Sequence, residues 1–139
     1  MSTTLGQLID AHGVDVLEHL DRSVEVPVLP GLQAQGDLAV IPLAGASAGD
    51  GTAGQPVPPA GVAVIEAVDG GHEHRLLASS PGTALYAPAR RSGQDIGVLT
   101  TTEPAYLAHP EHGYLGIAPG SYILRRQREQ ADEERIVAD

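Results

Sequence analysis

From Val24 onwards, short apolar runs alternate with glycine- and proline-containing turns at intervals of roughly ten residues. This spacing is typical of all-β sandwiches and barrels, because short strands are separated by tight turns. The 17 glycines and 11 prolines among 139 residues also argue against a helix bundle, since both residue types interrupt helices. We therefore expect a mainly β fold with a single domain, either a small β-barrel or a β-sandwich. The runs predicted as strands are Val24–Leu29, Asp37–Leu43, Val62–Val68, His72–Ser79, Thr83–Ala89, Ile96–Thr102, Ala105–Ala108, Tyr114–Ala118 and Ser121–Gln127.

The N-terminal residues follow a helical period instead. Apolar side chains recur there at steps of three and four, which places them on one face of a helix spanning residues 4–21. Thr4 followed by Gln7 matches a capping box, and Gly13 marks the point where this helix would break. The residues on the apolar face are Leu5, Leu8, Ile9, His12, Val16, Leu17 and Leu20.

The chain divides by composition into three segments. We predict an amphipathic N-terminal helix in residues 1–22, a β domain in residues 23–129 and a charged tail in residues 130–139. Residues 44–60 are rich in Gly, Ala, Ser and Pro, and we predict a flexible loop there within the β domain.

The charge balance disfavours nucleic acid as a partner. The chain has 18 acidic and 8 basic residues, a net charge of −10, which a phosphate backbone repels. Arg125, Arg126 and Arg128 are clustered, but the acidic residues Asp132 and Glu133 follow closely, and we expect the arginines to pair with that acidic run.

The sequence lacks a membrane-spanning run, a secretion signal and cysteine, and these features indicate the cellular compartment. No apolar run approaches the ~20 residues that span a bilayer, and the N-terminus has neither the basic nor the apolar region of a secretion signal. The absence of Cys excludes disulfides, thiolate metal sites and thiol catalysis. We therefore expect a soluble cytoplasmic protein without membrane association.

Four of the six histidines form two close pairs. His72 and His74 stand two apart in a predicted strand, so both rings point to one face, together with Leu76. His109 and His112 lie at the two ends of a turn that contains Pro110. Imidazole is a common ligand of Zn, Fe and Ni, so the four rings are candidate ligands of one divalent transition metal ion.

Two carboxylates lie within these pairs. Glu73 and Glu111 are candidate bases if the metal site is catalytic, or acceptors that fix a ring tautomer. The alternative is that each histidine is a surface residue or a hydrogen-bonded turn residue. The two interpretations differ in whether the pairs meet in space, which depends on strand order.

Several segments together resemble a family of short bacterial and phage proteins. The family pattern runs QGD, then GHxH, then a turn resembling HPEH, then PxGxYxVxRQRE. The matching segments here are Gln35–Asp37, Gly71–His74, His109–His112 and Pro119–Glu129. The resemblance implies a compact β domain and no established activity, and the N-terminal helix and the loop at 44–60 are additions to the family pattern.

Two functions remain open from the sequence. The first is a small β protein that binds a divalent metal through His72, His74, His109 and His112, with hydrolysis as a further option. The second is a non-enzymatic module that forms homo-oligomers or binds a protein partner through the N-terminal helix and the sheet edges.

Overall fold

The computed structural model describes residues 3–13, 25–43, 54–65, 73–88 and 95–126. Each predicted run contains a strand, which confirms the mainly β fold. Among the described strands, the pattern missed the short second and fourth. The elements are α1 (Leu5–His12), β1 (Val28–Leu29), β2 (Gln33–Gln35), β3 (Leu38–Pro42), β4 (Gln55–Pro56), β5 (Val62–Ile65), β6 (His74–Ala78), β7 (Ala84–Pro88), β8 (Asp95–Thr101), β9 (Ala105–His109), β10 (Gly113–Ile117) and β11 (Gly120–Arg126).

The strands form two sheets. The first sheet has the order β1-β10-β9-β6-β5, and the second has the order β2-β3-β11-β8-β7-β4. Strands β1 and β10 are parallel, and the other paired neighbours are antiparallel. The described strands make a sandwich, and the barrel alternative is wrong. The chain passes from one sheet to the other at residues 30–32 instead of continuing a single closed sheet.

The main core lies between the two sheets. Every second residue of a strand points inward, so Leu76 and Leu107 of the first sheet face Leu99 and Leu124 of the second. All four side chains are fully buried. The other buried members of this core are Leu38, Val40, Val57, Ile65, Ala84, Tyr86, Ala105, Ile117 and Tyr122.

Helix α1 covers the outer face of the first sheet. Its N-cap forms the predicted capping box, in which Thr4 Oγ1 accepts from the Gln7 N–H at 3.2 Å and Gln7 Oε1 accepts from the Thr4 N–H at 2.8 Å. The helix ends at Gly13, whose φ of +77° is a left-handed cap conformation that glycine adopts without strain. The buried residues of this second cluster, which we call the outer core, are Leu5, Leu8 and Ile9 of α1, Leu77, Tyr106, Ala108 and Tyr114 of the first sheet, and Val26.

Three of the segments predicted from the sequence lie wholly or partly outside the described residues. Residues 14–22 of the predicted helix and residues 130–139 of the predicted tail lie outside the described residues. Within the segment predicted as a loop, residues 44–53 also lie outside them, whereas β4 pairs with β7 and Val57 is buried in the core. Among the described helices, none is long and apolar enough to cross a membrane.

Candidate functional site

Three of the predicted histidines meet at one end of the sandwich. His74 begins β6 and His109 ends β9, and these antiparallel strands pair so that Arg75 lies opposite Ala108. The ring centroids of His74 and His109 are therefore only 4.5 Å apart. The His112 ring lies 4.5 Å from that of His109 and 6.5 Å from that of His74. His72 lies outside the described residues.

Gln35 of β2 links this cluster to the opposite sheet. Its Nε2 donates to the carbonyl oxygens of Leu107 and Gly113, both at 3.0 Å. Because these two carbonyls only accept, the amide orientation is fixed and Oε1 faces the Nδ1 of His74 at 2.9 Å. Gln35 is only 4% exposed, so a single buried amide joins β2 to three strands of the first sheet.

Asp37 completes the link on the solvent side. It follows Gly36 in the turn between β2 and β3, and its Oδ1 lies 2.9 Å from the Nε2 of His74. The His74 side chain is 2% exposed, whereas that of Asp37 is 39% exposed. The Nε of Arg126 lies 4.0 Å from the other carboxylate oxygen of Asp37. We call Gln35, Asp37, His74 and His109 the inter-sheet clamp.

The turn after β9 orients its own histidines. The Nδ1 of His109 accepts hydrogen bonds from the backbone N–H groups of Glu111 at 3.0 Å and His112 at 3.2 Å. The proton of a neutral His109 ring is therefore on Nε2. Gly113 follows with a φ of +81°, which closes the turn into β10. His109 is buried and His112 is exposed.

The two candidate bases lie in different surroundings. Glu73 forms an ion pair with Arg75, which also donates to the carbonyl of Ala60 at 2.9 Å. Glu111 is exposed on the turn between β9 and β10. Neither position is tested as a base by the structure, and the catalytic role stays a prediction.

Metal binding by the four histidines also stays a prediction. Among the described residues, no group of three or more His, Asp or Glu side chains is arranged to hold a metal ion. Both ring nitrogens of His74 and the Nδ1 of His109 already have hydrogen-bond partners. The structure thus brings three of the rings together, but with much of their hydrogen-bonding capacity directed to protein groups.

Burial is the main influence on the pKa of His74. Removal from water lowers this pKa, because the charged imidazolium is disfavoured in a buried position, while the hydrogen bond and the charge of Asp37 oppose the effect. The pKa of His12 is also lowered by burial, where its ring lies 6.5 Å from Tyr106 and 6.4 Å from Tyr114. His12 therefore lies at the edge of the outer core, half-buried on the apolar face of α1.

We expect the free energy of unfolding to fall when the pH is lowered from 7.5 to 5.5. The pKa values of His74 and His12 are lowered in the folded state, so the unfolded chain binds more protons below its ordinary histidine pKa of about 6.5. This stabilisation is present above that pH and is lost as the pH falls through the folded pKa values. Urea unfolding at the two pH values measures the effect, and His12→Gln should reduce it. An equal or higher free energy of unfolding at pH 5.5 would contradict the prediction.

A groove lies beside the cluster, between β2 and β10. It has a volume of about 330 Å³ and begins at His112 and Gly36. Gln33 crosses the gap here, because its Nε2 donates to the Gly116 carbonyl at 2.8 Å. The remaining lining residues are Pro27, Ala34, Gln35, Tyr114 and Leu115.

Residues 34–127 match the family model described as a domain of unknown function, DUF8820. The chain belongs to the DUF8820 family. No curated protein and no solved structure matches the chain. The DUF8820 region contains the whole inter-sheet clamp and His112, whereas α1 and β1 precede it.

Sequence reasoning missed Gln35 and Asp37 as members of the cluster. Both belong to the QGD segment, which is part of the family pattern but to which the sequence assigns no site role. A usable signal was present for Gln35, since Gln33 and Gln35 alternate and therefore share one side of a strand, whereas Asp37 lies in the turn that follows β2. Polar residues repeated on one side of a strand indicate side-chain hydrogen bonds across that side.

Proposed function

We propose that this protein is a non-enzymatic module that assembles with a second copy of itself through the side of the sandwich formed by β1 and β2. The observation that carries the proposal is the exposure of two leucines at the crossover between these strands. Leu32 is 71% exposed and Leu29 is 45% exposed. Large apolar side chains clustered on a surface are typical of interaction sites.

The positions of the strands beside these leucines also favour this side of the sandwich as the dimer interface. Among the described strands, β1 is an edge of the first sheet and β2 is an edge of the second, so both sheets end at this side. Edge strands offer backbone N–H and C=O groups to a further strand, and both sheets could be extended here by another chain.

The groove between β2 and β10 supports a self-complementary contact. It starts at His112 and reaches Pro27 and Gly116, close to the strand that precedes Leu32. In a dimer with two-fold symmetry, Leu32 of each copy would enter the groove of the other copy, since such an interface uses the same surface twice.

The hydrogen bonds of the histidine cluster favour a non-enzymatic role. A general base needs a free ring nitrogen or carboxylate near its substrate. His74 uses both nitrogens within the inter-sheet clamp, the Nδ1 of His109 accepts backbone N–H groups, and Glu73 pairs with Arg75. In this proposal, the histidine cluster joins the two sheets whose edges form the dimer surface.

We expect Leu32→Ser to raise the dissociation constant of the dimer by tenfold or more, because it removes the central apolar side chain of the contact. Sedimentation equilibrium of the full chain measures this constant. Since each copy carries a net charge of −10, higher salt should strengthen the wild-type dimer by screening repulsion between the copies.

The matched control is Leu85→Ser, which changes an exposed leucine on β7 near the opposite edge of the second sheet. This variant should associate as the wild type does. A wild type that stays monomeric at high concentration and high salt would overturn the proposal, as would equal weakening by the two substitutions.

A further inference from the structure

A cavity of about 560 Å³ lies beside the outer core, where residues 25–28 pass the end of β6 and the start of β9. Cavities of about 300–1,000 Å³ are typical of sites for small molecules. The lining combines Thr3 and residues 25–28 with Ser79, Pro104 and Tyr106. Because Thr3 and residues 25–28 precede the DUF8820 region, the cavity forms between the family domain and the N-terminal part of the chain.

One wall of this cavity is held by backbone contacts. The N–H of Val26 donates to the carbonyl of Thr3 at 2.8 Å, and β1 pairs in parallel with β10. A Cβ atom at Gly116 of β10 would lie 2.5 Å from the carbonyl oxygen of Pro27, so a side chain there would push residues 25–28 away from the sheet. The wall therefore depends on this glycine and on defined hydrogen bonds, which make the cavity a feature of the fold.

Tyr106 lies on the outer face of β9 and lines the cavity. Its side chain is 6% exposed, yet its hydroxyl has no hydrogen-bond partner among the described residues. The hydroxyls of Tyr86 and Tyr122, which are also buried, both donate to backbone carbonyls. A buried tyrosine hydroxyl usually has a partner, so the hydroxyl of Tyr106 is available to a molecule in the cavity.

Two other side chains of the cavity present acceptors. Ser79 follows β6, diagonally across from Tyr106, and its hydroxyl donates to the carbonyl of Pro104. The Ser79 oxygen can therefore only accept from a further group. The carboxylate of Glu25 is exposed, and among the described residues it has no ion-pair or hydrogen-bond partner. Since none of the described arginines lines the cavity, its charge is negative.

We propose that this cavity binds the protonated amino group of a small organic amine, with Glu25 as its counter-ion and the Tyr106 hydroxyl as a further acceptor. An ammonium group has three N–H donors and one positive charge, which match this set of acceptors. The apolar body of the amine would pack against Val26 and Pro104. The net charge of −10 favours the approach of cations, whereas an anion would meet the carboxylate of Glu25.

NMR titration of the full chain with 2-phenylethylammonium and, separately, with n-hexylammonium at pH 7.5 tests the proposal. We expect saturable shifts of the amide signals of Val26 and Ser79, with a Kd of about 1 mM or below for at least one of the two amines. The neutral analogue 2-phenylethanol should bind more weakly than its amine by about fivefold or more, because it lacks the charge that pairs with Glu25.

Two variants separate the contributions of charge and hydroxyl. Glu25→Gln should weaken binding of the amine about tenfold or more and leave binding of 2-phenylethanol unchanged, because the variant removes the charge and keeps the shape. Tyr106→Phe should weaken binding of the amine about threefold or more, since the ring stays and the acceptor is lost. The matched control is Asp10→Asn, which makes the same carboxylate-to-amide change at an exposed position of α1 and should bind as the wild type does.

Three results would overturn the proposal. The first is the absence of saturable binding of both amines, and the second is saturable shifts confined to residues outside the cavity. The third is equal affinity for the amine in the wild type and in folded Glu25→Gln. Thermal unfolding of each variant without ligand establishes that it is folded.

Discussion

Replacing His74 by alanine is expected to destabilise the fold by about 3–4 kcal/mol. The substitution leaves a space at a side chain that is 2% exposed in the wild type. It also removes the partners of Gln35 Oε1 and Asp37 Oδ1, and it removes the ring that packs 4.5 Å from His109. Urea unfolding followed by circular dichroism at pH 7.5 gives the change in the free energy of unfolding.

The control for this prediction is His112→Ala. The ring of His112 is exposed, so its removal leaves no buried space and is expected to cost less than about 1 kcal/mol. Similar losses for the two alanine variants would mean that His74 does not join the sheets in the way its hydrogen bonds indicate.

Gln35→Met is expected to cost about 2–3 kcal/mol, although methionine is close to glutamine in length and is more apolar. The thioether cannot donate to the carbonyls of Leu107 and Gly113, and it is a weak acceptor for the N–H of His74. The loss therefore measures buried hydrogen bonds and not packing. Urea unfolding at constant pH is again the measurement.

The chain provides a matched control two residues away. Gln33→Met makes the same chemical change on the same strand, but Gln33 donates at a less buried position, to Gly116 at 2.8 Å and Leu29 at 3.3 Å. We expect a loss of about 1 kcal/mol or less there. If Gln33→Met destabilised the fold as much as Gln35→Met, the buried hydrogen bonds of Gln35 would not contribute more to stability than the less buried ones of Gln33.

Local patterns predicted most of the fold because long strands bury alternate residues. β11 shows this alternation, whereas the run at 105–108 is apolar throughout because β9 is buried on both faces, between the main core and α1. The turn after it is marked by Pro110, and β10 follows. The two missed strands give no such signal. Strand β2 reads Gln-Ala-Gln, and β4 is a Gln-Pro pair inside a segment rich in small residues.

The site could be predicted only in part, because its residues come from distant segments. The sequence places His109 and His112 on one turn, which is a local relation. The approach of His74 depends on β6 pairing with β9, and the approach of Asp37 depends on how the two sheets pack. Strand order and sheet packing arise from the whole core, and no short motif carries that information.

The place of β11 in the second sheet bears on how the chain folds during synthesis. This strand lies between β3 and β8, although it is the last of the described strands along the chain. While residues 120–126 are still within the ribosome, β3 and β8 lack the neighbour that joins them, and the sheet consists of two separate halves. Nascent chains of this protein should therefore depend on chaperones until β11 has left the ribosome, since unpaired strand edges are prone to aggregation.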